Sequence, residues 1–258
     1  MSKTKQAFAS GKAFIPFLTA GDPDLETTEQ LILAMAEAGA DLIEIGIPFS
    51  DPIAEGPVIQ EADIRALAGG TTTDGIFEMV ARVRTASQVP LALMTYMNPV
   101  YTYGVERFMT RCQEVGIDAL IVPDVPYEEK AELAGECQAH DVDLISMVAP
   151  TSQERAKMIA AEAEGFLYCV SSLGVTGVRS ELSTAIGELI AQVKQVKDIP
   201  CAIGFGIATP EQAQEMAAIS DGAIVGSAVV RLIAEHGRES VPYVTEYVRQ
   251  MKAAVRHA

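Results

Sequence analysis

The stretch Asp41-Leu-Ile-Glu-Ile-Gly-Ile-Pro-Phe-Ser-Asp-Pro-Ile-Ala-Glu-Gly-Pro57 reads as a short strand that runs into a rigid acidic loop. Leu42, Ile43, Ile45 and Ile47 are apolar whichever way they point, the pattern of a strand covered on both faces in a parallel sheet. Glu44 interrupts that pattern. An unpaired carboxylate is costly to bury, so a group in this position takes a shifted pKa. The loop adds Asp51 and Glu55 and is stiffened by Pro48, Pro52 and Pro57. One carboxyl within an apolar strand and others on a fixed loop beyond it suit acid–base chemistry. The alternative for Glu44 is a structural pairing with an arginine.

Working outward, the same kind of short apolar run recurs from end to end. Strands are expected at 14–19, 42–46, 91–96, 119–122, 144–148, 166–170, 202–204 and 223–225. Helical periodicity lies between them. Residues 25–38 end at Gly39, Asp74 is placed to cap 75–85, and 105–115 precede Gly116. Thr151-Ser-Gln-Glu154 resembles a capping box that opens a helix to about Glu164. Thr209-Pro-Glu-Gln starts another, and segments 231–236 and 243–255 close the chain. Alternating strands and helices imply parallel strands joined by right-handed crossovers. Eight units in 258 residues favour a single (β/α)8 TIM barrel spanning 1–258 over an open doubly wound sheet. The open sheet would carry a Gly-rich fingerprint after its first strand, and here Thr19-Ala-Gly-Asp-Pro stands instead.

Composition limits the function classes. Nearly half of the residues are apolar, and the formal charge is −16, which argues against nucleic acid and against anionic membrane surfaces. The first residues lack an apolar leader and no membrane span is evident, so a cytoplasmic protein is expected. Cys112, Cys137, Cys169 and Cys201 are scattered, as reduced thiols would be. His140, His236 and His257 form no metal-ligand pattern, and no metal is expected.

In a barrel the loops after the strands form the active face. Three of them carry glycine: Ser171-Ser-Leu-Gly-Val-Thr-Gly177, Gly204-Phe-Gly-Ile-Ala-Thr209 and Gly226-Ser-Ala228. Glycine lets backbone N–H groups approach an oxyanion, and a helix N-terminus adds a favourable dipole. Singly, such glycines make tight turns; together, in the last quarter of a barrel, they point to phosphate. Phe17, Met94, Tyr96, Tyr168 and Phe205 fall at strand ends, where they are either core or the lining of a pocket for a flat apolar group.

Six motifs carry a resemblance: Phe17-Leu-Thr-Ala-Gly-Asp-Pro, Glu44-Ile-Gly-Ile-Pro-Phe-Ser-Asp-Pro, Met94-Thr-Tyr-Met-Asn-Pro, Pro123-Asp-Val-Pro, Gly174-Val-Thr-Gly and Gly204-Phe-Gly-Ile. In order and spacing, over nearly the whole chain, they resemble the tryptophan synthase alpha-subunit family. The resemblance implies a TIM-barrel lyase that cleaves indole-3-glycerol phosphate to indole and glyceraldehyde 3-phosphate. It also implies a pyridoxal-phosphate beta subunit as partner in an α2β2 assembly, with no cofactor in this chain. Glu44 matches the family's catalytic Glu. Glu55 stands where the family usually has a catalytic Asp, a departure that adds one methylene. Gly177, Phe205, Gly206, Gly226 and Ser227 match phosphate-binding positions. Phe17, Met94, Tyr96, Ile121, Met147, Tyr168 and Phe205 match the indole pocket. Thr176 matches the loop-closure residue, and Asp51, Asn98 and Tyr101 fall on the surface that meets the beta subunit.

The retro-aldol reaction needs a proton on indole C3, removal of the proton from the adjacent glycerol hydroxyl, and stabilisation of positive charge at the indole nitrogen. Glu44 suits the proton shuttle and Glu55 the nitrogen-facing carboxylate. Two other readings are another sugar-phosphate isomerase or lyase on the same barrel, and a non-catalytic barrel that regulates a partner.

Overall fold

The computed structural model describes residues 2–150, 153–170, 179–204 and 206–258, the side chains of 179–183 excepted. Its strands are β1 (Ala13–Thr19), β2 (Ile43–Gly46), β3 (Leu91–Met94), β4 (Ala119–Ile121), β5 (Asp143–Leu144), β6 (Ser146–Val148), β7 (Leu167–Val170), β8 (Cys201–Gly204) and β9 (Gly222–Val225). All pair in parallel in the order β5-β4-β3-β2-β1-β9-β8-β7-β6. The run expected at 144–148 is two pieces, β5 and β6, separated by Ile145. The Ile145 N–H still reaches the Leu120 carbonyl at 2.9 Å. One extended segment therefore pairs with β4 through its first half and with β7 through its second, which closes an eight-membered ring.

The helices are α1 (Lys3–Gln6), α2 (Leu25–Glu37), α3 (Pro57–Ala68), α4 (Thr73–Ala86), α5 (Met97–Tyr103), α6 (Val105–Val115), α7 (Ala131–Ala139), α8 (Gln153–Glu162), α9 (Arg179–Val196), α10 (Pro210–Ala218), α11 (Ser227–His236) and α12 (Val241–Arg256). Several starts differ from the sequence expectation. The cap of α4 is Thr72, whose hydroxyl accepts from the Gly75 N–H at 3.1 Å, and Asp74 sits in the first turn where its charge suits the dipole. Helix α11 begins at Ser227 and α12 at Val241, before the periodic stretches that revealed them. Thr209 and Gln212 make the reciprocal capping box that opens α10. Thr151 lies outside the described residues.

The two-residue period of the strands sorts the core into two layers. Phe14, Leu18, Ile43, Ile45, Leu91 and Leu93 turn outward and pack under the helices. Ile15, Leu42, Ala92, Ala119, Ile121, Ile145, Phe166, Ala202 and Ile224 fill the barrel interior. Near the C-terminal mouth two rings occupy room left by glycine. Phe17 pairs in register with Glu44 and covers Gly46, where an added Cβ would meet the ring at 2.6 Å. Tyr168 pairs with Ala202 and covers Gly204, where a Cβ would meet the hydroxyl at 2.4 Å. Both are diagonal cross-strand contacts that a larger residue would forbid.

Candidate active site

Glu44 shares the inward face of β2 with Leu42 and has no exposed surface. Neither carboxyl oxygen has a hydrogen-bond partner among the described residues, so the structural pairing with an arginine is absent. Burial alone pushes its pKa up to about 8. The group is therefore a neutral acid at pH 7 that can give up a proton and take it back, as a shuttle requires. The Tyr168 phenol is driven well above its usual range, by burial first and then by the Glu44 carboxyl beside it.

The loop after β2 brings in Glu55. Its backbone carbonyl accepts from the Gln60 amide at 2.7 Å, and Gly56 and Pro57 start α3 immediately behind it. Burial raises the Glu55 pKa, while hydrogen bonds with Asp63 and Tyr96 pull it back. Tyr96 steadies this loop twice. Its hydroxyl accepts from the Ala54 N–H at 3.2 Å, and its ring packs against Phe49 with centroids 5.4 Å apart.

Glu44 and Glu55 open on one cavity of about 260 Å3, close to the lower end of the usual ligand range of roughly 300–1,000 Å3. Phe17, Met94, Tyr168, Ile59 and Ile224 supply its apolar wall. The opposite wall is Gly206, Ile207, Ala208, Gly226, Ser227 and Ala228. Gly206 has φ of +73°, and a Cβ there would meet nothing within 4 Å, so the backbone faces open space. No side chain caps the start of α11 at Gly226, so its first N–H groups and the helix dipole are directed at the cavity. Arg231, one turn into α11, lines the same wall and adds a fixed positive charge in an otherwise acidic chain.

Of the residues expected at the site, Glu44, Glu55, Phe17, Met94, Tyr168, Gly206, Gly226 and Ser227 come together here. Ile121 belongs to the barrel filling beneath the cavity, and Tyr96 is buried behind the loop. Met147 packs on the barrel filling and lines a neighbouring cavity of about 190 Å3 with Pro123, Tyr127 and Arg155. Thr176, Gly177 and Phe205 lie outside the described residues. Asp51, on the loop after β2, and Asn98 and Tyr101, in α5, are exposed, Tyr101 by 75 %; Ile53, on the Asp51 loop, is exposed by 77 %. Sequence reasoning did not single out Ile59, Asp63 or Arg231. Helical spacing from Gly226-Ser227 could have found Arg231; the other two stood in a stretch not read as a helix.

At the other end of the barrel a larger hollow, about 760 Å3, is lined by Lys3, Asp118, Asp143 and Lys197. Two of its acids are already engaged: Asp118 by Arg84 and Lys3, and Asp143 by the Thr4 hydroxyl. Size alone does not make it the reactive site. Among the described residues no group of three His, Cys, Asp or Glu side chains is arranged to hold a metal, and no helix is long and apolar enough to cross a membrane.

The family model described as "Tryptophan synthase alpha chain" matches residues 2–256. A protein of that name from Lacticaseibacillus casei is 45 % identical over 255 residues, covering 99 % of this chain and 96 % of the relative. One from Alkaliphilus metalliredigens is 50 % identical over 243 residues, covering 93 % and 91 %. Among solved structures, tryptophan synthase subunit alpha from Legionella pneumophila superposes with a TM-score of 0.91 at 35 % identity over all of both chains. Ligand-free tryptophan synthase from M. tuberculosis gives 0.89 at 33 % identity, over 99 % of this chain and all of that one.

Proposed function

The chain belongs to the tryptophan synthase alpha chain family, and from that premise we propose how its own residues carry the reaction. The protein is a carbon–carbon lyase. It cleaves indole-3-glycerol phosphate to indole and glyceraldehyde 3-phosphate in the last stage of tryptophan biosynthesis, and it works with the tryptophan synthase beta subunit, to which indole passes.

The observation that carries the assignment is the fully buried Glu44 carboxyl, without a partner among the described residues, on the same cavity as Glu55 and the start of α11, which has no side-chain cap. Glu44 enters the cycle protonated and gives its proton to indole C3. The resulting carboxylate removes the proton from the adjacent glycerol hydroxyl. The carbon–carbon bond then breaks, its electrons return to the indole ring, and the former hydroxyl carbon becomes the aldehyde. Glu44 ends protonated, so the cycle needs no external proton carrier. Glu55, as the carboxylate, stabilises positive charge at the indole nitrogen while C3 is protonated. Phe17, Met94 and Tyr168 hold the ring. The amides at Gly206, Gly226 and Ser227, with Arg231, hold the phosphate. None of these steps calls on a cofactor in this chain, and pyridoxal phosphate is assigned to the beta subunit. Asp51, Asn98 and Tyr101, with exposed Ile53, are assigned to the contact with that subunit.

Indole release from indole-3-glycerol phosphate, measured with and without a beta subunit, tests the reading. Turnover is expected to be low alone and to rise in the complex, because a partner on the Asp51 loop favours the geometry in which Glu55 meets substrate. Turnover of other sugar phosphates, with none of this one, would overturn it.

A further inference from the structure

Asp63 is a buried acid that the steps above leave unused. It lies in α3 on the inward face with Ala62 and Ala66 and is only 3 % exposed. A buried carboxylate is normally paired with a cation. The nearest candidate along the helix, Arg65, is committed to Asp22 through two hydrogen bonds of 2.8 Å. Asp63 instead accepts a hydrogen bond from the Phe49 N–H and lies within hydrogen-bond reach of Glu55. Its Oδ2 and the Oε2 of Glu55 are both closed off from solvent and have no donor among the described residues. Two carboxylates in contact with no donor between them repel. A single shared proton satisfies both oxygens and removes one of the two charges.

Building on the assignment of Glu55 as the nitrogen-facing carboxylate, we infer that Asp63 is a positioning residue for the reaction. It keeps a proton at neutral pH, donates it as a hydrogen bond to the Glu55 carboxylate, and so holds Glu55 ionised and aimed into the cavity. The surroundings decide which partner is the acid. Asp63 is the deeper group and feels the charges of Glu55 and Asp22; burial and these neighbours push its pKa up to about 9. Burial raises the Glu55 pKa as well, but its bonds with Asp63 and Tyr96 work against that rise, and no such relief comes to Asp63 from Glu55. The ionisable groups facing Asp63 are Glu55 and Tyr96, and Asp22 from the loop after β1, itself clamped by Arg65. Helix α11, packed against α3, brings Arg231 to the cavity wall.

The test uses the full chain in complex with its beta subunit and compares Asp63→Asn, Asp63→Ala and Glu55→Ala. An amide at 63 donates to Glu55 and still accepts from Phe49, so Asp63→Asn is expected to keep kcat within about threefold. Asp63→Ala removes the donor. Its kcat is expected to fall by about tenfold or more with KM little changed, the scale of one lost charge-assisted hydrogen bond. The acid limb of its kcat profile moves to higher pH, because Glu55 loses a bond that lowers its pKa.

Thermal melting reports the shared proton without reference to chemistry. The folded-state pKa of Asp63 lies above its unfolded value, so the contribution is fully present at low pH and is lost as pH rises toward about 9. Asp63→Asn has no such loss. It is expected to melt above the parent at pH 8, with the gap closing toward pH 4. Parental kcat and acid limb in Asp63→Ala, an Asp63→Asn chain as impaired as Asp63→Ala, or a melting gap that ignores pH would each overturn the inference. An active Glu55→Ala chain overturns the Glu55 assignment and the positioning role with it, while a pH-dependent gap still marks the shared proton.

Discussion

The two ends of this barrel treat their acids differently, Asp22 with its Arg65 clamp apart. At the N-terminal end, Asp41, Asp118 and Asp221 stand at the approaches to β2, β4 and β9, and each meets a cation and a backbone N–H. Asp41 is held by Lys252 and the Phe14 N–H, Asp118 by Arg84, Lys3 and the Leu91 N–H, and Asp221 by Lys194 and the Cys201 N–H. At the C-terminal end, both oxygens of Glu44, one each of Glu55 and Asp63, and the hydroxyls of Thr19 and Thr95 have no partner among the described residues. A paired buried acid ties a strand start to a helix or to the next strand. An unpaired one weakens the fold and is tolerated where its perturbed state is used. The contrast separates scaffold from chemistry more sharply than cavity size does, because the larger hollow is at the paired end.

The most severe way to break the contrast is Glu44→Gln. Gln keeps the shape but has no proton it can give up and take back, so kcat is expected to fall by about 10³-fold in a folded chain. The same substitution sharpens the energetics. The raised pKa of Glu44 means that its contribution is present below the ordinary carboxylate range and is lost as pH rises to about 8. Glu44→Gln should therefore gain stability over the parent across that window, read by thermal melts at several pH values. Near-normal turnover, or no gain in stability, would return Glu44 to the scaffold.

Glu55→Ala comes next, with an expected loss of about 100-fold in indole release. Glu55→Asp, which restores the family's usual residue, should stay active but altered, since ~1 Å of displacement is enough to matter. If Glu55→Ala keeps most of the activity, Asp51 is the next group to examine.

At the paired end the order reverses. Asp118→Ala leaves the nearly buried Arg84 without its acid, and the expected cost is about 3 kcal/mol of stability. Its kcat at a permissive temperature should match the parent. Chemical denaturation paired with a turnover assay reads both. A catalytic defect as large as the defect at Glu55 would erase the distinction between the ends.

The smallest effect is expected at Arg231. Its positive charge supplements the backbone amides proposed to hold the phosphate, so Arg231→Gln should raise KM by about fivefold, about 1 kcal/mol, with kcat unchanged. Inorganic phosphate should compete with substrate in the parent and more weakly in the variant. An unchanged KM would place the phosphate elsewhere.

Much of this was written in the chain itself. The alternation of eight apolar runs with helical segments set the ring, and an acid inside the apolar run 42–47 marked Glu44 without any structure. Glycines after the last strands marked the part of the cavity lining at Gly206 and Gly226 to which we assign the phosphate, because only a bare backbone lets N–H groups approach so closely. Local signals of this kind survive folding because they depend on residues adjacent in sequence.

Tertiary structure alone decided the rest. Strands covered on both faces are apolar throughout, so their sequence does not say which side chains fill the barrel and which meet the helices. Ile121 and Tyr96 could not be distinguished from cavity residues until the strands curved. Asp63 follows Glu55 by eight residues, and in the sequence its side chain has no particular neighbour. The turn at Gly56 and Pro57 and nearly two turns of α3 fold it back against Glu55. Whether an acid is paired or orphaned depends on which groups from distant segments arrive beside it, and the closed ring of strands sets that placement.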